Sequence, residues 1–292
     1  MVCAKCGAAV HEGDNFCEEC GASVKQNSLT QSAVCDKFPK SEEFVIDSNL
    51  AAVTNKGRRH LANEDSGTVF KCDNGDSILI VADGVSSSVN AVSGSQKAIE
   101  AIRNYMINNA APAKQLITEA ISLGDTCVKS LPYEIKADGL YGPETTVVTA
   151  LVQGDNITIG WVGDSRAYIL SEDSQELLTV DDSWVEMVVA EGTMTREQAS
   201  LDRRAHCVTQ VLGMHDAEAE IHLVEAKLNK GELLLLCSDG LWNYFQSDKA
   251  LINAIASFGI NSEAVSICQH LTQLANAAGG HDNITVALLK NL

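Results

Sequence analysis

Positive charge is scarce in this chain. Lys and Arg number 21 against 39 Asp and Glu in 292 residues, a formal net charge of -18. A surface this acidic disfavours nucleic acid and anionic membranes as partners, because both carry the same sign. Long apolar runs are lacking as well: none reaches the roughly 18–20 residues that a membrane span needs. No signal peptide is legible, since Cys3 and Cys6 stand where its hydrophobic region would be. Internal repeats and low-complexity tracts are also missing. These absences point to a cytoplasmic protein. The 45% of hydrophobic residues is enough for one large domain and a small appendage. The excess of carboxylates is either a solvated acidic surface or a site for divalent metals.

Disulfides are not expected in the cytoplasm, so ten cysteines need another reason. Cys3, Cys6, Cys17 and Cys20 provide one, with the spacing C-x2-C-x10-C-x2-C. Two thiolates separated by two residues can reach one metal, and Gly7 and Gly21 permit the turn after each pair. Four thiolates suit tetrahedral Zn2+ and leave no open position, so this zinc is expected to be structural. Residues 1–24 therefore read as a zinc ribbon. Residues 25–43 are polar and aperiodic and read as a linker. Residues 44–292 read as the main domain. Cys72, Cys127, Cys237 and Cys268 are expected to be buried there as small hydrophobes.

In that domain SILIVAD (77–83) and ELLLLCSD (232–239) read as buried strands, each ending in a carboxylate. Residues 145–153, 156–164 and 166–170 read as three strands at hairpin spacing, and NITVALLK (283–290) as a last one. Helices are expected over 88–109, 112–130, 248–256 and 262–277, with a helix–turn–helix over 183–202. Antiparallel runs with helices clustered between them predict an α+β layered sandwich.

The chemistry lies in an ordered set of carboxylates at strand ends. Asp65 stands in Asn63-Glu64-Asp65, Asp83 before Gly84, and Asp164 before Ser165-Arg166. Asp239 stands before Gly240, and Asp282 before Asn283. Any one Asp-Gly after a strand is ordinarily a turn. Several carboxylates converging on one place would repel one another unless hard divalent cations neutralised them.

The order Asn-Glu-Asp, Asp-Gly, Thr-Thr, Gly-Asp-Ser-Arg, Ser-Asp-Gly-Leu-Trp, Asp-Asn-Ile-Thr-Val resembles that of the type-2C (PPM) metal-dependent serine/threonine phosphatases of bacteria, from about residue 50 to the end. VGDSRAYIL (162–170), LLLCSDGLW (234–242) and GGHDNITV (279–286) carry most of the likeness. Residues 178–204 resemble that family's flap. The resemblance implies a four-layer α-β-β-α sandwich of antiparallel sheets and hydrolysis of phosphoserine and phosphothreonine by metal-activated water. Two Mn2+ or Mg2+ ions are implied, and a third as in bacterial members. Asp83 would bridge two ions with the Gly84 carbonyl on one, Asp239 and Asp282 would complete the second, and Asp65 and Glu64 would act through waters. Asp164 and Asp239 would take the third ion, which Asp181 and Asp182 would approach. Asn283 would orient Asp282, while Thr145, Thr146 and Ser165 would be structural.

Phosphorylated proteins are the implied partners, with a cognate serine/threonine kinase and its targets. Two departures stand out. The family's phosphate-gripping Arg falls at His60, so Arg59 is the expected phosphate ligand, with Arg58 and His60 as alternatives. Some members carry a His after Asp-Gly as general acid. Here Val85 and three serines follow, leaving water or His60 to protonate the leaving group. The rival reading is a weak or dead phosphatase-like domain serving as a scaffold through its zinc ribbon.

Overall fold

The computed structural model describes residues 41–137, 139–172, 174–247 and 249–291. The chain divides between Lys37 and Phe38, and the described residues all belong to the second part. The cysteines of the expected zinc ribbon lie outside the described residues.

Thirteen strands and seven helices are described. The first half runs β1 (Glu42–Asp47), β2 (Leu50–Asn55), β3 (Asp65–Lys71), β4 (Ser77–Asp83), α1 (Ala91–Asn108), α2 (Ala113–Lys129), β5 (Glu134–Lys136), β6 (Gly139–Tyr141), β7 (Val147–Gln153) and β8 (Asn156–Val162). The second half runs β9 (Arg166–Leu170), β10 (Gln175–Leu177), α3 (Trp184–Ala190), α4 (Arg196–Ala199), β11 (His222–Lys227), β12 (Leu233–Cys237), α5 (Asp239–Trp242), α6 (Ala250–Phe258), α7 (Ala264–Ala278) and β13 (Ile284–Lys290).

Two antiparallel sheets carry the domain. One has the order β1-β2-β13-β12-β9-β10 and the other β11-β8-β7-β4-β3. The continuous apolar runs of β12 and β4 follow from burial on both faces. Period-two alternation sorts their side chains. Leu234 and Leu236 of β12 meet Leu79 and Val81 of β4 between the sheets. Leu233, Leu235 and Cys237 turn the other way onto α6 and α7. Ile78, Ile80 and Ala82 turn onto α1 and α2. The layers are therefore helix, sheet, sheet, helix. Each fully buried Leu or Ile contributes about 1.5–3 kcal/mol relative to exposure.

Two expectations change. β7 and β8 do form a hairpin, with Gln153 opposite Asn156 and Gly154 at φ 61°. β9 does not continue it: it pairs with β12 and β10 in the other sheet. Loop length sets how near the next strand begins, not which sheet accepts it. Residue 44, the expected start of the domain, falls inside β1, which begins at Glu42. As a mostly exposed edge strand, β1 shows no apolar period. Finally, Cys237 and Cys268 are buried, but Cys72 and Cys127 are only partly so.

Candidate active site

The carboxylates meet because antiparallel neighbours bring the end of one strand beside the start of the next. Asp83 ends β4 and Asp65 begins β3, and the two are register partners. Asp239 follows β12, and Asp282 precedes β13, which pairs with β12. Asp164 lies where the chain crosses from β8 in one sheet to β9 in the other. Gly163, at φ 102°, makes that crossing; a Cβ there would stand 2.6 Å from Thr146 Cγ2. Asp83, Gly84, Asp164, Asp239 and Asp282 together line a pocket of about 470 Å³.

Hydrogen bonds fix these groups from behind. The Asp83 carbonyl accepts from Thr145 Oγ1 at 2.9 Å and the Thr146 amide at 2.8 Å. Thr146 Oγ1 accepts the Asp83 amide at 3.1 Å and bonds Ser165 Oγ at 2.8 Å. Thr145, Thr146 and Ser165 thus position the backbone of Asp83. Buried Asp65 accepts Ser238 Oγ–H at 2.7 Å. The side chain of Asn283 serves the neighbouring loop, not Asp282. It accepts the Glu64 amide at 2.7 Å and donates to the Lys56 and Ala62 carbonyls at 2.7 and 3.1 Å. The backbone amide of Asn283 is what orients Asp282, at 2.8 Å. Glu64 accepts a short hydrogen bond from Ser86.

The carboxylates raise one another's proton affinity. Burial, then the charges of Asp239 and Asp282, push Asp65 up to about 7 against the ordinary 3.8, although Ser238 and Thr285 pull the other way. Asp83 rises well above its ordinary value through burial and then repulsion from Asp65, Asp239, Asp164 and Asp282. Asp164 rises through burial and Asp239. Asp239 rises to about 6, through burial and Asp282. Asp65 Oδ1 and Asp239 Oδ1 are buried without a hydrogen-bond partner. Unpaired buried acceptors in a ring of like charges are the surroundings that a divalent cation satisfies. Among the described residues no three His, Cys, Asp or Glu groups form a ready-made metal cluster. The carboxylates instead line a pocket, and a hard ion there would complete its shell with water and backbone carbonyls. The donors are all oxygen, which fits Mg2+ or Mn2+.

The family model for protein phosphatase 2C matches residues 54–277. The chain belongs to the protein phosphatase 2C family. The serine/threonine phosphatase stp of Listeria innocua is 30% identical over 81% of this chain and 93% of its own length. The serine/threonine protein phosphatase PstP of Mycobacterium tuberculosis is 29% identical over 79% of this chain, which spans only 44% of that protein. The catalytic domain of a serine/threonine protein phosphatase PstP, solved with two manganese ions, superposes with a TM-score of 0.65 at 27% identity, covering 82% of this chain and 96% of that one. The Streptococcus agalactiae serine/threonine phosphatase superposes at 0.72 with 27% identity, covering 87% of this chain and 100% of that one.

In this phosphatase 2C domain the expected phosphate-binding cluster divides. His60 Nε2 lies 3.2 Å from Asp282 Oδ1 and its Nδ1 3.9 Å from Glu64 Oε2. Arg58 and Arg59 are exposed, and the Arg58 amide donates to the Gly280 carbonyl at 2.8 Å. Asp181 is held by a bidentate pair from Arg166, at 2.9 and 2.7 Å, and that guanidinium lies 3.6 Å over Trp242. Asp182 accepts the Gly163 amide and contacts His222, both at 2.8 Å. Both carboxylates thus tie the segment after β10 to the sheets. Burial pushes the Cys237 thiol up, as suits a core residue and not a nucleophile.

Val180, Asp181, Ser183 and Val185, of the segment expected to be a flap, line a second cavity of about 520 Å³ that shares Asp164, Asp239, His206 and Asn243 with the first. His206, Asn243, Tyr244 and His281 line the main pocket but were not singled out from the sequence. A lone His in a polar stretch carries no spacing signal, and only folding brings His206 across from Asp239.

Proposed function

We propose that this domain hydrolyses phosphoserine and phosphothreonine in proteins. The supporting observation is the convergence of Asp83, Asp164, Asp239 and Asp282 on one pocket, with partnerless buried oxygens on Asp65 and Asp239. In this reading Asp83, Gly84, Asp239 and Asp282 would hold two Mn2+ or Mg2+ ions, Asp65 and Glu64 would act through water, and Asp164 with Asp239 would hold a third. When bound, such ions make water nucleophilic at neutral pH and neutralise charge on phosphoryl oxygens.

The residues of the chain supply the rest. Thr145 and Thr146 hold the Asp83 backbone and Ser238 the Asp65 carboxylate, which keeps the reorganisation cost of the reaction low. His60 braces Asp282, and Arg59 or Arg58 reaches the substrate phosphate. Further proposals concern the whole chain. Cys3, Cys6, Cys17 and Cys20 hold one structural Zn2+, which native mass spectrometry would count. The protein works in cytoplasmic signalling beside a serine/threonine kinase.

The test is turnover of a phosphothreonine peptide with Mn2+, with Mg2+ and with EDTA, beside Asp239→Asn. Removing an outer partner of a metal site already costs 10–100-fold, so losing this carboxylate should cost at least about 10²-fold. Absence of turnover under every condition, in folded protein, would overturn the reading.

A further inference from the structure

Hydrolysis of an alkyl phosphate has two halves. Water attacks phosphorus, and the serine or threonine oxygen must leave. That oxygen is a poor leaving group unless a proton reaches it as the bond breaks, and a positioned acid contributes typically about 10²–10⁴-fold. Val85 and Ser86 follow Asp83-Gly84 here, so no acid stands at that point of the chain.

The pocket histidines differ in what engages them. His60 is taken up by Asp282 and Glu64. The His281 ring lies against Gly279, where an added Cβ would stand 2.5 Å from its Cδ2. His206 is exposed and has no hydrogen-bond or ion-pair partner among the described residues. It lines both the catalytic pocket and the second cavity, at their shared wall with Asp239 and Asp164.

Its backbone is held on both sides. The Cys207 carbonyl accepts the Trp184 amide at 2.8 Å, and the Cys207 amide donates to the Arg204 carbonyl at 2.9 Å. The Thr209 amide donates to the Asp182 carbonyl at 2.7 Å. Upstream, the Arg204 guanidinium lies 4.0 Å over the Trp184 ring. A free imidazole thus projects from an anchored segment at the junction of the two cavities.

We propose that His206 is the catalytic acid that protonates the departing serine or threonine oxygen, an inference that rests on the phosphatase reading above. The bond from water oxygen to phosphorus forms as the bond from phosphorus to the side-chain oxygen breaks. The imidazolium N–H proton passes to that side-chain oxygen. The proton released by the attacking water goes to solvent, and solvent reprotonates the imidazole.

Leaving-group dependence tests this directly. Full-length wild type and His206→Gln are compared with Mn2+ on a phosphothreonine peptide and on p-nitrophenyl phosphate, whose aryl oxide leaves without a proton. Because His206 is exposed, the substitution should not disturb folding, and an unchanged melting temperature verifies that. The expected result is a kcat about 10²-fold lower on the peptide, but within about threefold of wild type on the aryl ester. Equal loss on both esters, or no loss on either, would overturn the assignment. So would selective loss in His60→Gln or His281→Gln while His206→Gln stays normal. Wild type that turns over neither ester with Mn2+ would fail the phosphatase reading itself, a result distinct from all of these.

Discussion

Gly240 follows Asp239 at the start of α5, where the chain passes the segment carrying Asp282. A Cβ on Gly240 would lie 1.7 Å from the Asn283 carbonyl oxygen and 2.8 Å from its carbonyl carbon. Ordinary contact is about 3.5 Å, so Gly240→Ala demands a separation of roughly 1.5–2 Å. Both obstacles are backbone, and no rotamer change relieves them. Overpacking of this kind costs about 3 kcal/mol, which at 2–4 °C per kcal/mol lowers Tm by about 6–12 °C. The same movement spreads Asp239 from Asp282, and a misplacement of about 1 Å in a reacting centre costs on the order of 10²-fold in rate. Calorimetry and Mn2+-dependent turnover of an aryl phosphate read the two effects. Gly154→Ala is the companion: Gly154 has φ 61° in the β7–β8 turn and nothing within 4 Å of an added Cβ. It should cost only the left-handed backbone strain of about 1–2 kcal/mol and leave turnover intact. A Gly240→Ala protein with Tm within about 2 °C of wild type and unchanged turnover would refute the close-approach reasoning.

Ser238 donates to Asp65 and accepts the Thr285 amide at 3.0 Å. Ser238→Ala leaves the buried amide and a carboxylate oxygen unpaired, so it should lose about 1–3 kcal/mol in urea unfolding and weaken Mn2+ binding by titration calorimetry; wild-type values in both would count against the positioning role. In EDTA, Asp65 and Asp239 keep their protons up to about pH 7 and 6, whereas the unfolded chain releases them near 3.8. The folded state then binds more protons across that window, so stability should fall as pH rises from about 4 to 7 and level off above. Saturating Mn2+ should abolish the fall at its upper end, and a melting temperature in EDTA that is flat across the window would contradict the repulsion described here.

Much of this was readable along the chain. The uninterrupted apolar runs of β4 and β12 announced strands covered on both faces, because a half-exposed strand must alternate. The carboxylates at their ends were legible for the same reason: a charged group closing a buried run stands where the sheet stops. β1 and the β5–β6 hairpin were not legible, since mostly exposed strands carry no apolar period, and β11 was not, since it is only half-buried along most of its length. β2 escaped for the opposite reason, its small residues being buried throughout without alternation.

What the sequence by itself determined is therefore part of the inventory: which long apolar runs are buried strands, which carboxylates terminate them, and in what order they come. Local propensity and periodicity suffice for that, because they act between near neighbours. The tertiary structure alone decided the meetings. It sent β9 to the opposite sheet, set His60 against Asp282, gave the Asn283 side chain to the neighbouring loop, and brought His206 to face Asp239. Such contacts join residues far apart in the chain, and their geometry is settled only when two sheets close on a shared core.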